Sequence, residues 1–451
     1  MGHTNDMTVG NPTRSILHFA LPMIGGYLLQ QMYTVVDAAI VGQCIGVGAL
    51  AAVGASWSVM FLIMGFCNGT CAGFAIPVAQ AFGAHDFTTL RQYAAQSFRL
   101  TATTALLITA VAALFCHPIM HAIRIPSDIY GDAHTFLLLQ LLSIPFVMAY
   151  NLLASLLRAL GNSRWPFYFL VMASMLNIAL SLLFIVVLGM GVAGVGLATM
   201  AAQAAAAIAC WTYIRRHARL LIPKGDEWQY NSKQAKHLLA NGIPMGLQFS
   251  ITGIGIIMLQ TANNALGTLY IASFTVSMRV KYLFTCVFEN IGAAMATYCG
   301  QNIGAGDVQR VAKGLRSALG ITAVYFLFTF LTILPFADEM MLLFVDSSET
   351  AIIDNAALLM RTACWFYPAL GLLTVLRYSI QGLGYSTLSM LSGVMEMFAR
   401  GGVSIWLVPA FGFIGVCYGD PVAWVAADLF LVPAMAMLYH RLKKKYHTRH
   451  I

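Results

Sequence analysis

The chain has 451 residues, of which 59% are hydrophobic and only 9% charged, with a mean hydropathy of +0.76. A soluble domain carries roughly 25% charged residues, so this composition excludes a soluble globular protein. The formal net charge of +8 does not point to nucleic acid. The charges collect in gaps between apolar runs and form no basic face with interleaved aromatics.

A polar stretch from Gly2 to Arg14 precedes the first apolar run. That run is far longer than the hydrophobic region of a signal peptide and no A-x-A cleavage site follows, so it reads as uncleaved. Twelve apolar segments are predicted, at 15–38, 50–79, 98–116, 133–157, 166–188, 193–214, 238–264, 269–300, 317–337, 355–380, 386–409 and 413–440. About 20 apolar residues cross a ~30 Å hydrocarbon layer as helix. The ~10-residue alternating segments of a membrane barrel are absent from the sequence. The fold class is therefore an all-α polytopic membrane protein with twelve transmembrane helices.

Polar residues inside such segments are costly and commonly functional. In the first segment Gln30, Tyr33, Thr34 and Asp37 recur at spacings of three, four and seven, which predicts one polar helix face. Asp37 ends that stripe. It is either a carboxylate that exchanges a proton or holds a hard cation, or a helix-end aspartate at the interface. The fifth segment offers Asn177 and Ser181, and the sixth Thr199 and Gln203. These are oxygen donors that also serve as ordinary helix–helix hydrogen bonds.

In the second half, Arg279, Lys281 and Glu289 fall in the eighth segment, and Glu396 and Arg400 are four apart in the eleventh. That spacing suits a self-neutralising ion pair; the alternative is a charged cavity wall. Asp420 and Asp428 in the twelfth segment carry no assigned role, with Asp420 expected at the outer interface. The nine cysteines lie mostly inside apolar runs. Cys67 and Cys71 share a helix face, but no His or acid stands beside them to complete a metal site.

Lysine and arginine bias sets the orientation. With a cytoplasmic N-terminus, nineteen of the 25 basic residues face the cytoplasm, from Arg14 through the run Arg215 to Lys236 to Lys443–Lys445 and Arg449. The opposite gaps hold Arg124, Arg361 and a cluster of acids that includes Asp128, Asp338 and Asp346. Both termini are expected in the cytoplasm, in a multi-pass cytoplasmic (inner) membrane protein.

The longest basic gap, 215–236, divides the chain into six-helix lobes at 1–214 and 237–451. Gln80, Gly83, Ala84 and Asp86 return 221 positions later as Gln301, Gly304, Ala305 and Asp307. Pro22-Met23 matches Pro244-Met245, Arg158-Ala-Leu-Gly161 matches Gln381-Gly-Leu-Gly384, and Gly191-x-x-Gly194 matches Gly412-x-x-Gly415. Six is even, so the two lobes run parallel, a duplication common in secondary transporters. The repeated loop reads as architecture, with Gly83 and Gly304 ending helices in the left-handed conformation and Asp86 and Asp307 capping the next.

The pattern Pro22, Tyr33, Asp37, Val41-Gly42, then LAAVG and GAxD, resembles the multidrug and toxic compound extrusion (MATE) family of the MOP superfamily. So does the RALGNSRWP…N…G-x-x-G-x-x-L-A-T run from Arg158 to Thr199. The resemblance covers essentially all twelve helices and lies closer to the DinF-like than to the NorM-like branch. It implies two six-helix lobes, no cofactor, and a monomer that exports lipophilic organic cations or drugs by antiport with H+ or Na+. It also implies a cation site at Tyr33, Asp37, Asn177 and Thr199, with Na+ at Asp37, Asn177 and Thr199 as one form. Ser181 stands where the DinF-like branch commonly has a second aspartate. The stretch Gln248 to Thr252 lacks the glutamate of the NorM-like branch. Gln30, Thr34, Arg279, Lys281, Glu289, Glu396 and Arg400 are the candidate substrate contacts.

The expected function is thus a secondary active antiporter that takes up substrate from the cytoplasm or the membrane lipid. A lipid-linked oligosaccharide flippase of the same superfamily is the alternative, kept open by Arg279, Lys281 and Arg400. An enzyme or a channel finds no support in the sequence, which has no metal-ligand cluster, nucleophile–base constellation, filter repeat or Walker A motif.

Overall fold

The computed structural model describes residues 6–122 and 125–447, with only the backbone described at Val47, Ser58, Ala122 and His447. Arg124 and Arg449, which the charge-bias argument places on opposite sides of the membrane, lie outside the described residues. The described residues are overwhelmingly helical and contain no strand. The twelve long helices are α1 (Pro12–Cys44), α2 (Trp57–Gly83), α3 (Phe87–Leu114), α4 (Tyr130–Ala159), α5 (Arg164–Leu182) and α6 (Gly191–His217). They continue as α7 (Ser232–Asn264), α8 (Thr268–Gly304), α9 (Val308–Met341), α10 (Thr350–Trp365 with Tyr367–Gly382), α11 (Ser386–Gly402) and α12 (Gly419–His447).

Ten of these are long and apolar enough to cross a membrane, and α10 makes eleven if its two arms, bent by 56° at Phe366, count as one span. Helix α1 carries the polar residues Gln30, Thr34 and Asp37, but its 33 residues extend about 50 Å at 1.5 Å per residue. It supplies the twelfth span.

The duplication is visible in the backbone. Gly46 and Gly267, Gly161 and Gly384, and Gly191 and Gly412 all have positive φ at matching places in the two halves. Helices α5 and α11 both run into a π-helical turn, Leu183–Val187 and Val403–Leu407. In the repeated loop Asp86 accepts a hydrogen bond from the Thr89 amide, and Asp307 one from the Arg310 amide, so both are N-caps. The glycines differ from expectation. Gly83 and Gly304 stay helical, and the positive φ falls two residues later, at His85 (54°) and Gly306 (78°). The helix thus ends by hydrogen bonds from Ala84 and Ala305 to the carbonyls of Gln80 and Gln301. The left-handed turn comes only after them.

The chain forms two compact units, at ends that differ from the expected 1–214 and 237–451. One unit comprises Leu21–Gly246 with the first residues, and the other Met7–Ala20 with Leu247–Ile451. In the first unit α4 packs on α2, α3 and α6 around a core that includes Phe74, Leu141 and Leu157. Helix α2 and the start of α7 approach backbone to backbone: a Cβ on Gly73 would lie 2.6 Å from the Gly242 Cα. In the second unit α8 packs on α9 and on both arms of α10, and α11 on α12. Among the described residues Tyr298, Tyr367, Phe19 and Phe288 are its largest fully buried side chains.

Each unit also clamps an incoming segment near its repeated loop or on the helix that follows it. In the second unit Met7 is fully buried, its amide donating to Gln301 Oε1 (2.9 Å), its carbonyl accepting from Asn302 and Arg310, while Arg310 also reaches the Val9 carbonyl (2.7 Å). In the first unit the linker is held by the Arg91–Glu227 ion pair (2.6 Å), by Gln96 donating to the Gln229 carbonyl (2.7 Å) and by Arg99 donating to that of Trp228.

Candidate functional site

The first unit brings together α1, α5 and α6. Asn177 (3% exposed) donates through Nδ2 to Thr199 Oγ1 at 3.2 Å, and Ser181 (fully buried) donates to Asn177 Oδ1 at 3.2 Å. The Thr199 hydroxyl in turn donates to the Val195 carbonyl. Tyr33 faces Thr199 and Asp37, and Asp37 presents a buried Oδ1 with no hydrogen-bond partner among the described residues. The buried Gln203 Oε1, one turn on from Thr199, also lacks one. A carboxylate oxygen left without a donor in an apolar bundle is unfavourable while charged, so this position calls for a proton or a cation. The oxygens of Asp37, Asn177, Ser181, Thr199 and Gln203 are donor types that suit a hard cation.

The predicted polar face of α1 divides. Tyr33 and Asp37 are half-buried, whereas Gln30 and Thr34 are exposed, and the Thr34 hydroxyl is spent on the Gln30 carbonyl. Gln30 and Thr34 do not join the cluster.

The second unit holds a buried charge network with no counterpart among the described residues of the first. Glu396 (2% exposed) meets both Arg377 and Arg400, the latter at 3.2 Å. Arg400 also donates from Nε to Asp420 Oδ1 at 2.9 Å, and Lys281 pairs with the other oxygen of Asp420. Arg377 donates to Ser392 Oγ at 3.0 Å, and Tyr378 donates to Glu289 Oε2 at 3.1 Å. The expected Glu396–Arg400 pair therefore forms, but as part of a network spanning α8, α10, α11 and α12. Asp420, expected at the outer interface, is instead largely enclosed between Lys281 and Arg400, its side chain 13% exposed. Arg279 is exposed and does not join, because two residues from Lys281 is more than half a helical turn away.

Arg377 was missed, and Asp428 carried no assigned role. An arginine inside the apolar stretch Thr374 to Ser379 was a readable signal of the same kind as Lys281. Asp428 stands near Arg377. The three cations Lys281, Arg377 and Arg400 are matched by four acids: Glu289, Glu396, Asp420 and Asp428. Beside the network, Gln248, Gln381 and Ser389 form a closed polar triangle at 2.6–2.9 Å. Among the described residues no group of His, Cys, Asp and Glu forms a metal site.

A sequence model of the MatE family matches residues 22–183 and again 244–400, one match to each half. The probable multidrug resistance protein YpnP of Bacillus subtilis (strain 168) is 25% identical over 381 residues, 84% of each chain. The multidrug export protein MepA of Staphylococcus aureus (strain N315) is 22% identical over 436 residues, 94% of this chain and 93% of its own. A MATE protein crystallised in complex with MaL6 superposes with a TM-score of 0.90 at 22% identity, covering 98% of this chain and all of that one. A MOP superfamily transporter of Pyrococcus furiosus, described as having a binding pocket of reversed polarity, gives 0.87 at 21% identity over 97% of this chain and 98% of its own. With two family matches spanning most of its length and twelve helices in a duplicated arrangement, the chain belongs to the MatE family of multidrug and toxic compound extrusion transporters.

Proposed function

We infer that the protein is a secondary active antiporter that exports lipophilic organic cations across the cytoplasmic membrane, driven by inward movement of H+ or Na+ through Asp37. The observation that carries this reading is the buried Asp37 carboxylate oxygen without a donor, set beside Tyr33, Thr199 and Asn177. With Asp37 charged, the carboxylate draws donors or a cation towards it; once neutralised, it releases them. Either change alters how α1 packs on α5 and α6. The names of YpnP and MepA, both multidrug proteins, support the substrate class. Ser181 departs from the second aspartate common in the DinF-like branch, so Asp37 works as the one acid of this cluster. The lysine and arginine bias supports cytoplasmic termini, and a monomer is the expected working form.

A lipid-linked oligosaccharide flippase, or another carrier of anions, is favoured by Lys281, Arg377 and Arg400 in the second unit. Those cations already face Glu396 and Asp420, which leaves little positive charge to meet an anionic substrate. The antiporter reading is preferred on that ground. Its test is dye efflux from proteoliposomes under imposed pH or Na+ gradients. Asp37→Asn is expected to abolish gradient-driven efflux while leaving the protein folded and able to bind dye. Undiminished gradient-driven efflux in that variant would overturn the coupling assignment.

A further inference from the structure

The first unit carries a cavity of about 460 Å³ that the coupling cluster does not use. It lies between α3, α4 and α6 and is lined by Phe98, Ala102, Leu106, Leu152, Trp211 and, from the linker, Trp228. Its volume is in the ~300–1,000 Å³ range of ligand sites, and its walls are almost wholly apolar. Leu106 at the cavity is 64% exposed, and Leu107 and Leu114 of the same helix are exposed too, so the cavity opens on a surface that meets lipid. Phe98 packs edge-on against Trp211 (5.6 Å) and tilts against Trp228 (6.2 Å), which closes the end next to the linker.

The charge around that end is positive. Arg99 lies three and seven residues before Ala102 and Leu106, on the same helix side, and its guanidinium donates to the Trp228 carbonyl. Arg215 follows Trp211 by one turn, with Arg216 beside it, both exposed. Of the nearby acids, Glu227 is held by Arg91 and Asp226 accepts from Gln229. Tryptophan and arginine at the end of a membrane helix mark the headgroup level, and clustered basic residues there attract anionic lipids. A lipophilic cation, the proposed cargo, would be repelled by the same rim.

We propose that this cavity is a site for an anionic phospholipid, one acyl chain lying between α3, α4 and α6 and the phosphate headgroup meeting Arg99 and Arg215. The linker roof, fixed by Arg91–Glu227, completes the site. The lipid belongs to the leaflet on the linker side, which is the cytoplasmic one under the proposed orientation. The proposal rests on the chain spanning a membrane and not on the coupling ion or direction of transport, so a lipid assay fails or succeeds independently of efflux.

The test uses the full-length protein in detergent, with palmitoyl-oleoyl phosphatidylglycerol and phosphatidylcholine of identical chains as probes. Native mass spectrometry reads retained lipid and a thermal melt reads stabilisation. Wild-type protein is expected to retain phosphatidylglycerol in preference to phosphatidylcholine and to melt higher with it. Ala102→Trp, at an exposed position on the cavity mouth, is expected to remove both effects while the protein stays monodisperse. Arg99→Gln is expected to weaken the headgroup preference about five-fold while the chain still binds. Equal retention of both lipids, or unchanged retention in Ala102→Trp, would overturn the proposal. So would displacement of the lipid by tetraphenylphosphonium, which would make the cavity a cargo site.

Discussion

Asp420→Asn is the sharpest probe of the charge network in the second unit. Asp420 is the only acid facing Lys281 among the ion pairs of the described residues, and Lys281 is 4% exposed. Arg400 keeps Glu396 at 3.2 Å after the change, so the orphaned charge is Lys281. Removing one partner of a buried pair costs about 3–5 kcal/mol, because the other charge stays desolvated. For a unit of this size each kcal/mol moves the melting midpoint by ~2–4 °C, so a fall of about 6–20 °C is expected. The assay is thermal unfolding in detergent at a fixed scan rate. The matched control is Asp338→Asn, which breaks a half-exposed pair with Arg361 (2.5 Å) of a kind worth at most about 1 kcal/mol. Adding Lys281→Met to Asp420→Asn removes the orphan and is expected to restore much of the loss. If Asp420→Asn melts no lower than Asp338→Asn, or Lys281→Met deepens the loss, the reasoning about an uncompensated buried cation is refuted.

Further outcomes follow from the linker and the close-packed glycines. Hydrogen bonds from Arg91 hold the Glu227 carboxyl below its ordinary value of 4.5, so the linker clamp is complete at neutral pH and is lost as pH falls through that depressed value. Hydrogen exchange over residues 225–230, corrected for intrinsic rates, should therefore rise only under strong acid, and Glu227→Gln should raise it at neutral pH. A Cβ on Gly382 would run into the Ala296 carbonyl, whereas one on Gly320 meets nothing within 4 Å. Gly382→Ala is expected to lose most folded protein in a detergent size-exclusion assay. Gly320→Ala should be neutral or stabilising by ~0.5–1 kcal/mol, as for a helix interior. Equal behaviour of the two would sink the packing argument.

Much of the fold was legible because the bilayer imposes one rule, a long apolar helix per crossing, and because the halves repeat. The site was legible only in part, for a physical reason. Helical spacing states which residues of one helix lie near each other, and it grouped Gln30, Tyr33, Thr34 and Asp37. It does not state which side of that face meets a neighbour, and only Tyr33 and Asp37 turn towards Thr199 and Asn177. The charge network was harder still, since its pairs join residues such as Lys281 and Asp420, 139 positions apart in the chain. Asp420 looked interfacial because it stands near the edge of an apolar run. The short helix Phe413–Cys417 restarts the chain at Gly419, and Asp420 then falls in the first turn of α12, where a helix terminus favours an acid. By the 221-residue offset that relates Gly191 to Gly412, Asp420 occupies the place of Thr199. The halves thus put a neutral hydroxyl and a fixed ion pair at one architectural position.

The buried Met7 and the clamped linker bear on how such a chain can be cut or inherited. A fragment ending before Gly225 would carry off Met7–Ala20, which belongs to the second compact unit, and a fragment starting there would carry off the opening of α7, which belongs to the first. Neither fragment would be a finished body. Six helices of this design are therefore not a smaller transporter in waiting; each half is incomplete until another copy lends it a leading segment.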